Sequence, residues 1–435
     1  MTLDSKIYFT RYLNSTQMLA QVENRIPLAS QTFSKSRTQY PPKISPLFVT
    51  HSLGCKTWDI DGNEYIDLVS SLAAVTLGYG DLQVNRAVSE QLALGVTLSL
   101  PSLLEYEVAQ LINELVPSAE KIRFGKTGSD ATTGAIRVAR AFTNREHILI
   151  GGYHGWHDWN IGITSMNSGV PKSVQQLSHS FMLNDVNSFE NLISQFKGDI
   201  AAVILEPISY FSPTNEFLDY LRVRTQELGI ILVFDETVTG FRVAPGGAQE
   251  FLGVIPDLTT FGKGIANGFP LSVLCGRADL MNLMDQVFFS GTFGGELLSL
   301  AAAKVVLTKV RDENVTGTLG KIGAELNLAV SKTIADLNFK GLSLSGHPSW
   351  QFLVWDNKKF KDLSKAKTLF MQEMFFQGVL ILGSHNVTLA HDSEAIQIVA
   401  ESYSKALQKL QLVESAQSYS ENLFVDPLKP LFKVR

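Results

Sequence analysis

Lys263 stands between two glycines in TTFGKGIANGFPLSVLCG, residues 259–276, just after one apolar run and just before another. Glycine-rich stretches of this kind suggest a phosphate cradle, but the spacing fits neither common template. A dinucleotide fingerprint needs glycine at 267, where the chain has Asn267 and Gly268 comes one residue late. A Walker loop ends G-K-[ST], and here the lysine is followed by glycine. The lysine is therefore the point of the segment, and the glycines clear space around it. Other reactive groups follow apolar runs in the same way: Tyr153 and His154 after HILIG, Glu206 after AAVIL, and Asp235 after IILVF. Taken singly, each has an ordinary explanation: a ring packs, an acid caps a helix, a lysine is solvated. Together, an aromatic ring, two carboxylates and an amine at equivalent positions describe a site.

A second candidate lies in KTGSDATTGAIRVARAFT, residues 126–143. Gly128 and Ser129 open a helix whose apolar stripe is Ala131, Ala135, Val138, Ala139 and Phe142. Ser129 reads as the N-cap, and Gly128 permits close backbone approach. A helix start with free N–H groups binds anions, phosphate among them. The segment HGWHDW offers His154, His157 and Asp158, but it lacks a third, distant histidine cluster, so no metal is expected.

The elements that must position these residues alternate. The runs HILIG (147–151), AAVIL (201–205), IILVF (230–234), LTTF (258–261) and LSVLCG (271–276) are apolar throughout and are separated by helical patterns. Such runs suit strands buried on both faces of a parallel sheet, and ligands of such sheets bind outside the carboxyl ends of the strands. KTWDIDGNEYIDLVS reads as a β-hairpin around Asp61, Gly62 and Asn63. Helices are expected near 83–95, 103–115 and 295–311, and residues 1–45 read as a polar arm with scattered apolar anchors. The chain divides into an arm and hairpin over 1–75 belonging to the small domain, a large domain over 76–314, and a C-terminal part of the small domain over 315–435. The length of 435 residues, 45% hydrophobic and 18% charged, describes a globular protein. A net charge of −5 gives no reason to expect nucleic acid. No signal peptide or membrane span is evident, and Cys55 and Cys275 show no metal or redox spacing, so the expected compartment is the cytoplasm.

Lysine, aspartate, stacking tyrosine and a phosphate-binding helix start are the set that pyridoxal 5'-phosphate requires. Here the sequence resembles the class III aminotransferases of fold type I, in the branch that includes glutamate-1-semialdehyde 2,1-aminomutase. The resemblance runs from WDIDGNEYIDLVSS to LAHDSEAIQ and is sharpest in RFGKTGSDATTGAIRVARAFT, YHGWHDW, FDETVTGFR, GGAQEFLGVIPDLTTFGKGIANGFPLS and SGTFGGELLSLAAA. It implies an α/β fold with a large, mostly parallel sheet flanked by helices and a smaller α+β domain. It also implies that Lys263 forms the Schiff base with the cofactor and that Asp235 partners the pyridine nitrogen. Gly128 and Ser129 then bind phosphate, Tyr153 stacks on the ring with His154 beside it, and Glu206 has a positioning role. Thr292 matches a threonine that reaches the phosphate of the neighbouring subunit, which implies a homodimer with shared sites.

The departures from the aminomutase bear on substrate. Thr237 replaces an aliphatic residue usually packed on the ring. The stretch after YHGWHDW is shorter than the aminomutase's gating segment. Asn386 stands where the aminomutase has an acid, and no C-terminal carboxylate-binding arginine is present. The N-terminal SQTFSKSR lays Ser34 and Arg37 over the aminomutase's substrate-binding segment. The expected activity is transfer of an amino group from an amino acid, glutamate first, to an aldehyde or ketone, sugar-derived or in glycan or natural-product biosynthesis. Intramolecular aminomutase chemistry is the alternative, and a non-catalytic binding protein of the same fold is a remote third.

Overall fold

The computed structural model describes residues 3–429, which fall into two compact units. Among these residues, one unit comprises 3–72, 77–80 and 319–429, and the other comprises 73–76 and 81–318.

The second unit carries a seven-stranded sheet. Its strands are β1 (Lys121–Gly125), β2 (His147–Gly151), β3 (Ser178–Ser180), β4 (Ile200–Leu205), β5 (Ile231–Asp235), β6 (Leu258–Phe261) and β7 (Ser272–Gly276). The spatial order is β1-β7-β6-β5-β4-β2-β3. Strands β6, β5, β4, β2 and β3 pair in parallel, whereas β7 is antiparallel to both of its neighbours. The run LSVLCG thus lies in the expected sheet, but against the expected direction. A strand buried on both faces is apolar whichever way it runs, so composition carries no sign of direction. Alternate residues feed two separate cores. Ile148, Ile150, Ala202, Ile204, Ile231 and Val233 join one, against Ala135, Val138 and Ala139 of the helix Gly128–Thr143. Leu149, Val203, Leu205, Leu232 and Phe234 join the other, against Phe217 and Leu221 of the helix Asn215–Leu228. This is the period-2 alternation of a strand expressed across two covered faces. The stripe on Gly128–Thr143 is buried as far as Ala139, while Phe142 stays exposed. Among the described residues no helix is long and apolar enough to cross a membrane.

In the first unit the expected hairpin pairs Lys56–Asp59 with Glu64–Asp67, and Val49–Leu53 and Val379–Leu380 flank it. Asp59 Oδ1 accepts from the N–H groups of Asp61 and Asn63, while Gly62 at φ 83 makes the bend. The N-terminal segment read as an arm holds the helices Leu3–Arg11 and Leu13–Glu23. Its buried anchors, Tyr8, Tyr12 and Ser15, follow helical spacing, and the Tyr8 hydroxyl donates to Glu373 at 2.9 Å.

Candidate active site

The strand order decides which side chains meet. β6, β5, β4 and β2 are parallel neighbours, so Lys263, Asp235, Glu206 and Tyr153 with His154 emerge in sequence along one edge. This is the carboxyl edge at which open α/β sheets bind ligands.

Lys263 opens a short 3-10 turn, Lys263–Ala266, with φ 45. A left-handed conformation costs a non-glycine residue roughly 1–2 kcal/mol, so the surrounding turn must hold it in place. Contact restricts both flanking glycines, tightly at Gly264 and more mildly at Gly262. A Cβ on Gly262 would lie 3.2 Å from Thr237 Cγ2, and one on Gly264 would lie 2.3 Å from Thr76 Oγ1. The turn closes at Asn267, whose Oδ1 accepts the Thr76 N–H at 2.9 Å. Burial lowers the pKa of the Lys263 amine, opposed by Glu206 and Asp235 and reinforced by Arg242.

Asp235 is buried and well supplied with donors. His154 Nδ1 lies 2.8 Å from Oδ2. Oδ1 accepts from the Thr237 N–H at 3.1 Å, the Thr237 hydroxyl at 2.5 Å and the Thr260 hydroxyl at 3.1 Å. Burial works against the charge, but the bonds from His154 and Thr237 outweigh it and hold the carboxyl below its ordinary pKa. Glu206 shows the opposite balance. Burial, with repulsion from Asp235, pushes its carboxyl up to about 7, and His154 and Lys263 only partly offset this. Two acids on adjacent strands therefore differ in charge near neutrality: Asp235 is an anion, and Glu206 can hold or release a proton.

The helix Gly128–Thr143 begins beside Thr237 at this edge. Its N-cap is Thr127 rather than the expected Ser129: Thr127 accepts from the Asp130 N–H, and Asp130 returns a bond to the Thr127 N–H. Ser129 instead lies in the first turn, where its hydroxyl accepts the Trp156 N–H at 3.2 Å. The loop after β2 is pressed onto this helix start. A Cβ on Gly155, at φ 111, would sit 2.3 Å from Ser129 Oγ, and the Thr132 hydroxyl donates to the His154 carbonyl at 2.8 Å. This contact places His154 against Asp235 and leaves Tyr153 41% exposed. Thr237 bridges the two ends, since a Cβ on Gly128 would meet its methyl at 3.2 Å, the distance also found from Gly262.

The edge therefore gathers Lys263, Asp235, Glu206, Tyr153, His154, Thr237, Gly128 and Ser129. Thr292 is exposed in this chain and lines a separate cleft of about 310 Å³ with Asp130, Arg137, His157 and Phe293. Ser34 and Arg37 belong to the first unit, where the Arg37 guanidinium pairs with Glu23. His157 bonds Thr133 at 2.7 Å while His154 bonds Asp235, so the two histidines serve different partners. Sequence reasoning missed Thr260, Thr76 and Arg242. The two threonines in the otherwise apolar LTTF were a signal for Thr260, and Arg242 closes the motif FDETVTGFR, whereas nothing local marks Thr76.

The residues fit pyridoxal phosphate. A neutralisable amine, a carboxylate held ionised in a buried site and a helix start are the partners its aldehyde, ring nitrogen and phosphate need. His154 Nε2, buried in this group, has no hydrogen-bond partner among the described residues. A mostly parallel sheet presenting these groups at its carboxyl edge defines a pyridoxal-phosphate enzyme of fold type I. The profile of the Aminotransferase class-III family matches residues 39–413, and the chain belongs to that family. It is 33% identical over 396 residues to glutamate-1-semialdehyde 2,1-aminomutase of Aquifex aeolicus, covering 84% of this chain and 93% of the relative. It is also 31% identical to 3-aminobutyryl-CoA aminotransferase of Cloacimonas acidaminovorans, covering 85% and 91%. Among solved structures, the FumI protein of Sphingopyxis sp. MTA144, in its pyridoxal-phosphate internal aldimine form, superposes with a TM-score of 0.86. That match is 27% identical and covers 92% of this chain and 97% of the other. The protein is accordingly a pyridoxal-phosphate-dependent enzyme of the class III aminotransferase family, acting on small amino and carbonyl compounds.

Proposed function

We propose that this protein moves an amino group from glutamate to an aldehyde or ketone of the sugar-derived or natural-product class. The observation that supports this most is the pairing of a depressed Lys263 amine with an ionised Asp235 at one sheet edge. When bound, pyridoxal phosphate supplies an aldehyde that links to amines and a ring that takes up electron density. The chain does the rest. Asp235 would hold a proton on the ring nitrogen, and the bonds from His154, Thr237 and Thr260 keep Asp235 charged. The helix start at Gly128 and Ser129 would hold the phosphate, and Tyr153 would pack beside the ring. Lys263, less basic than a surface lysine, takes the substrate's α-proton at Nζ and returns it. Glu206, beside it with a carboxyl near neutrality, sets the charge around that amine.

We also propose a homodimer in which Thr292 completes the partner's phosphate site. Phe288 and Phe293 on either side of it are 81% and 60% exposed, and a second copy would cover them. Intramolecular amino transfer is the second reading, favoured by the aminomutases among the relatives. One experiment separates the two. Glutamate should convert the yellow enzyme stoichiometrically to its aminated form and release 2-oxoglutarate. Isomerisation of glutamate-1-semialdehyde with no exchange of labelled nitrogen would reverse the assignment.

A further inference from the structure

Arg242 lies outside the reaction described above, yet it is almost wholly buried, with 1% of its surface exposed. The residue before it, Phe241, is left-handed at φ 58 and packs its ring against Phe261 at the end of β6, 4.9 Å between centroids. Gly240 allows this approach, because a Cβ there would overlap the Phe261 ring at 2.2 Å. The backbone is thus bent to aim a cation inward. Arg242 Nη2 lies 3.4 Å from the carbonyls of Ala73 and Val75 and from the Thr76 hydroxyl. Ala73, at φ 65, ends a run of four left-handed residues that begins at Ser70. Such a run holds only where its carbonyls are pinned. The far side of the same short strap, residues 73–76, rests on the lysine turn. Thr76 Oγ1 occupies the place a Gly264 side chain would take, and the Thr76 N–H donates to Asn267.

We infer that Arg242 is a positioning residue for Lys263: it clamps the 73–76 strap onto the turn that carries the lysine and sets a permanent positive charge behind that lysine. The inference rests on Lys263 being the coenzyme lysine. A fixed cation beside a second cation raises the cost of protonating it. The charged groups facing Lys263 are Glu206 beyond β4, Asp235 at the end of β5, and Arg242; the two acids favour its protonated form and Arg242 opposes it. Arginine suits the task because a guanidinium stays charged when buried, whereas a buried lysine sheds its proton.

The test uses the coenzyme-loaded enzyme and reads the pH at which the bound coenzyme's visible absorption changes form. Arg242→Gln removes the charge, and Arg242→Lys preserves the stem but loses its charge on burial, so both should raise the midpoint, by about one pH unit or a tenfold change in proton affinity. Arg242→Lys changes shape least and carries the test if Arg242→Gln does not fold. Thr76→Val keeps the branched shape of the side chain and replaces its hydroxyl with a methyl that cannot bond Arg242. It should leave the midpoint in place while slowing conversion by glutamate roughly tenfold, because the lysine turn loosens. An unmoved midpoint in a folded Arg242 variant overturns the inference, as does an equal shift in Thr76→Val. Borohydride labelling keeps the two levels apart: failure to label Lys263 in the parent enzyme would sink the functional reading itself.

Discussion

Adding one methyl group at Gly264 tests why glycine flanks the lysine. The new Cβ would lie 2.3 Å from Thr76 Oγ1 and 3.7 Å from the Ala73 carbonyl. Ordinary contact begins at about 3.5 Å, so the turn or the strap must retreat by roughly one ångström. Thr76 is poorly placed to yield, with its N–H on Asn267 at 2.9 Å and its hydroxyl beside Arg242 at 3.4 Å. Overpacking of this kind costs about 1–3 kcal/mol, and Gly264→Ala should lose about 2 kcal/mol of stability in urea denaturation. If the turn moves instead of the strap, Lys263 moves with it. A displacement of about 1 Å at a reacting group costs on the order of 100-fold in rate, readable in a single turnover with glutamate. Thr76→Ala removes the obstructing oxygen, so the double variant should recover about 1.5 kcal/mol relative to the sum of the two single losses. Losses that add to within about 0.5 kcal/mol would show that this contact is not the reason for the glycine.

Lys263→Ala should retain coenzyme non-covalently, incorporate no label on borohydride reduction and show no turnover; labelling at any other lysine would refute the assignment. Glu206 takes its proton more readily in the folded chain, where its pKa stands near 7 instead of 4.5, so its contribution to stability is complete below about pH 4.5 and is lost as pH rises to about 7. At about 1.36 kcal/mol per pH unit this amounts to roughly 3 kcal/mol, and denaturation of the coenzyme-free protein across that window should show it shrinking in Glu206→Gln. An identical pH dependence in both proteins would count against a buried, protonatable Glu206. If Arg37 exchanges Glu23 for a donor carboxylate, Arg37→Lys should weaken amination by glutamate by about 2 kcal/mol while hardly affecting a simple amine. Equal losses with both donors would assign Arg37 to the fold alone.

Much of the site was legible because its signals are local. An apolar run ending in a reactive residue is visible in one dimension, and parallel strands bring such ends to one edge whatever their order. That made Tyr153, Glu206, Asp235 and Lys263 a set before any contact was known. The capping box Thr127-x-x-Asp130 was also present in the sequence, and it outcompetes Ser129 because two reciprocal bonds are made there. The helices of residues 3–23 were hidden by their polar composition, although Tyr8, Tyr12 and Ser15 follow helical spacing.

What remained depends on contacts between distant segments, which no window of sequence contains. Strand order, β6-β5-β4-β2, made the four reactive ends neighbours, and the reversed β7 separated them from β1. The opposite behaviour of Asp235 and Glu206 comes from which partners each meets after burial: His154 and two threonine hydroxyls for one, mainly desolvation for the other. The glycines around Lys263 were visible as glycines, but their reason lies in Thr237 and Thr76, 25 and 188 residues from Gly262 and Gly264 by subtraction of their positions. A residue type can announce what chemistry it is able to do, whereas its charge state and the space it is allowed are properties of its neighbours, and only folding chooses those.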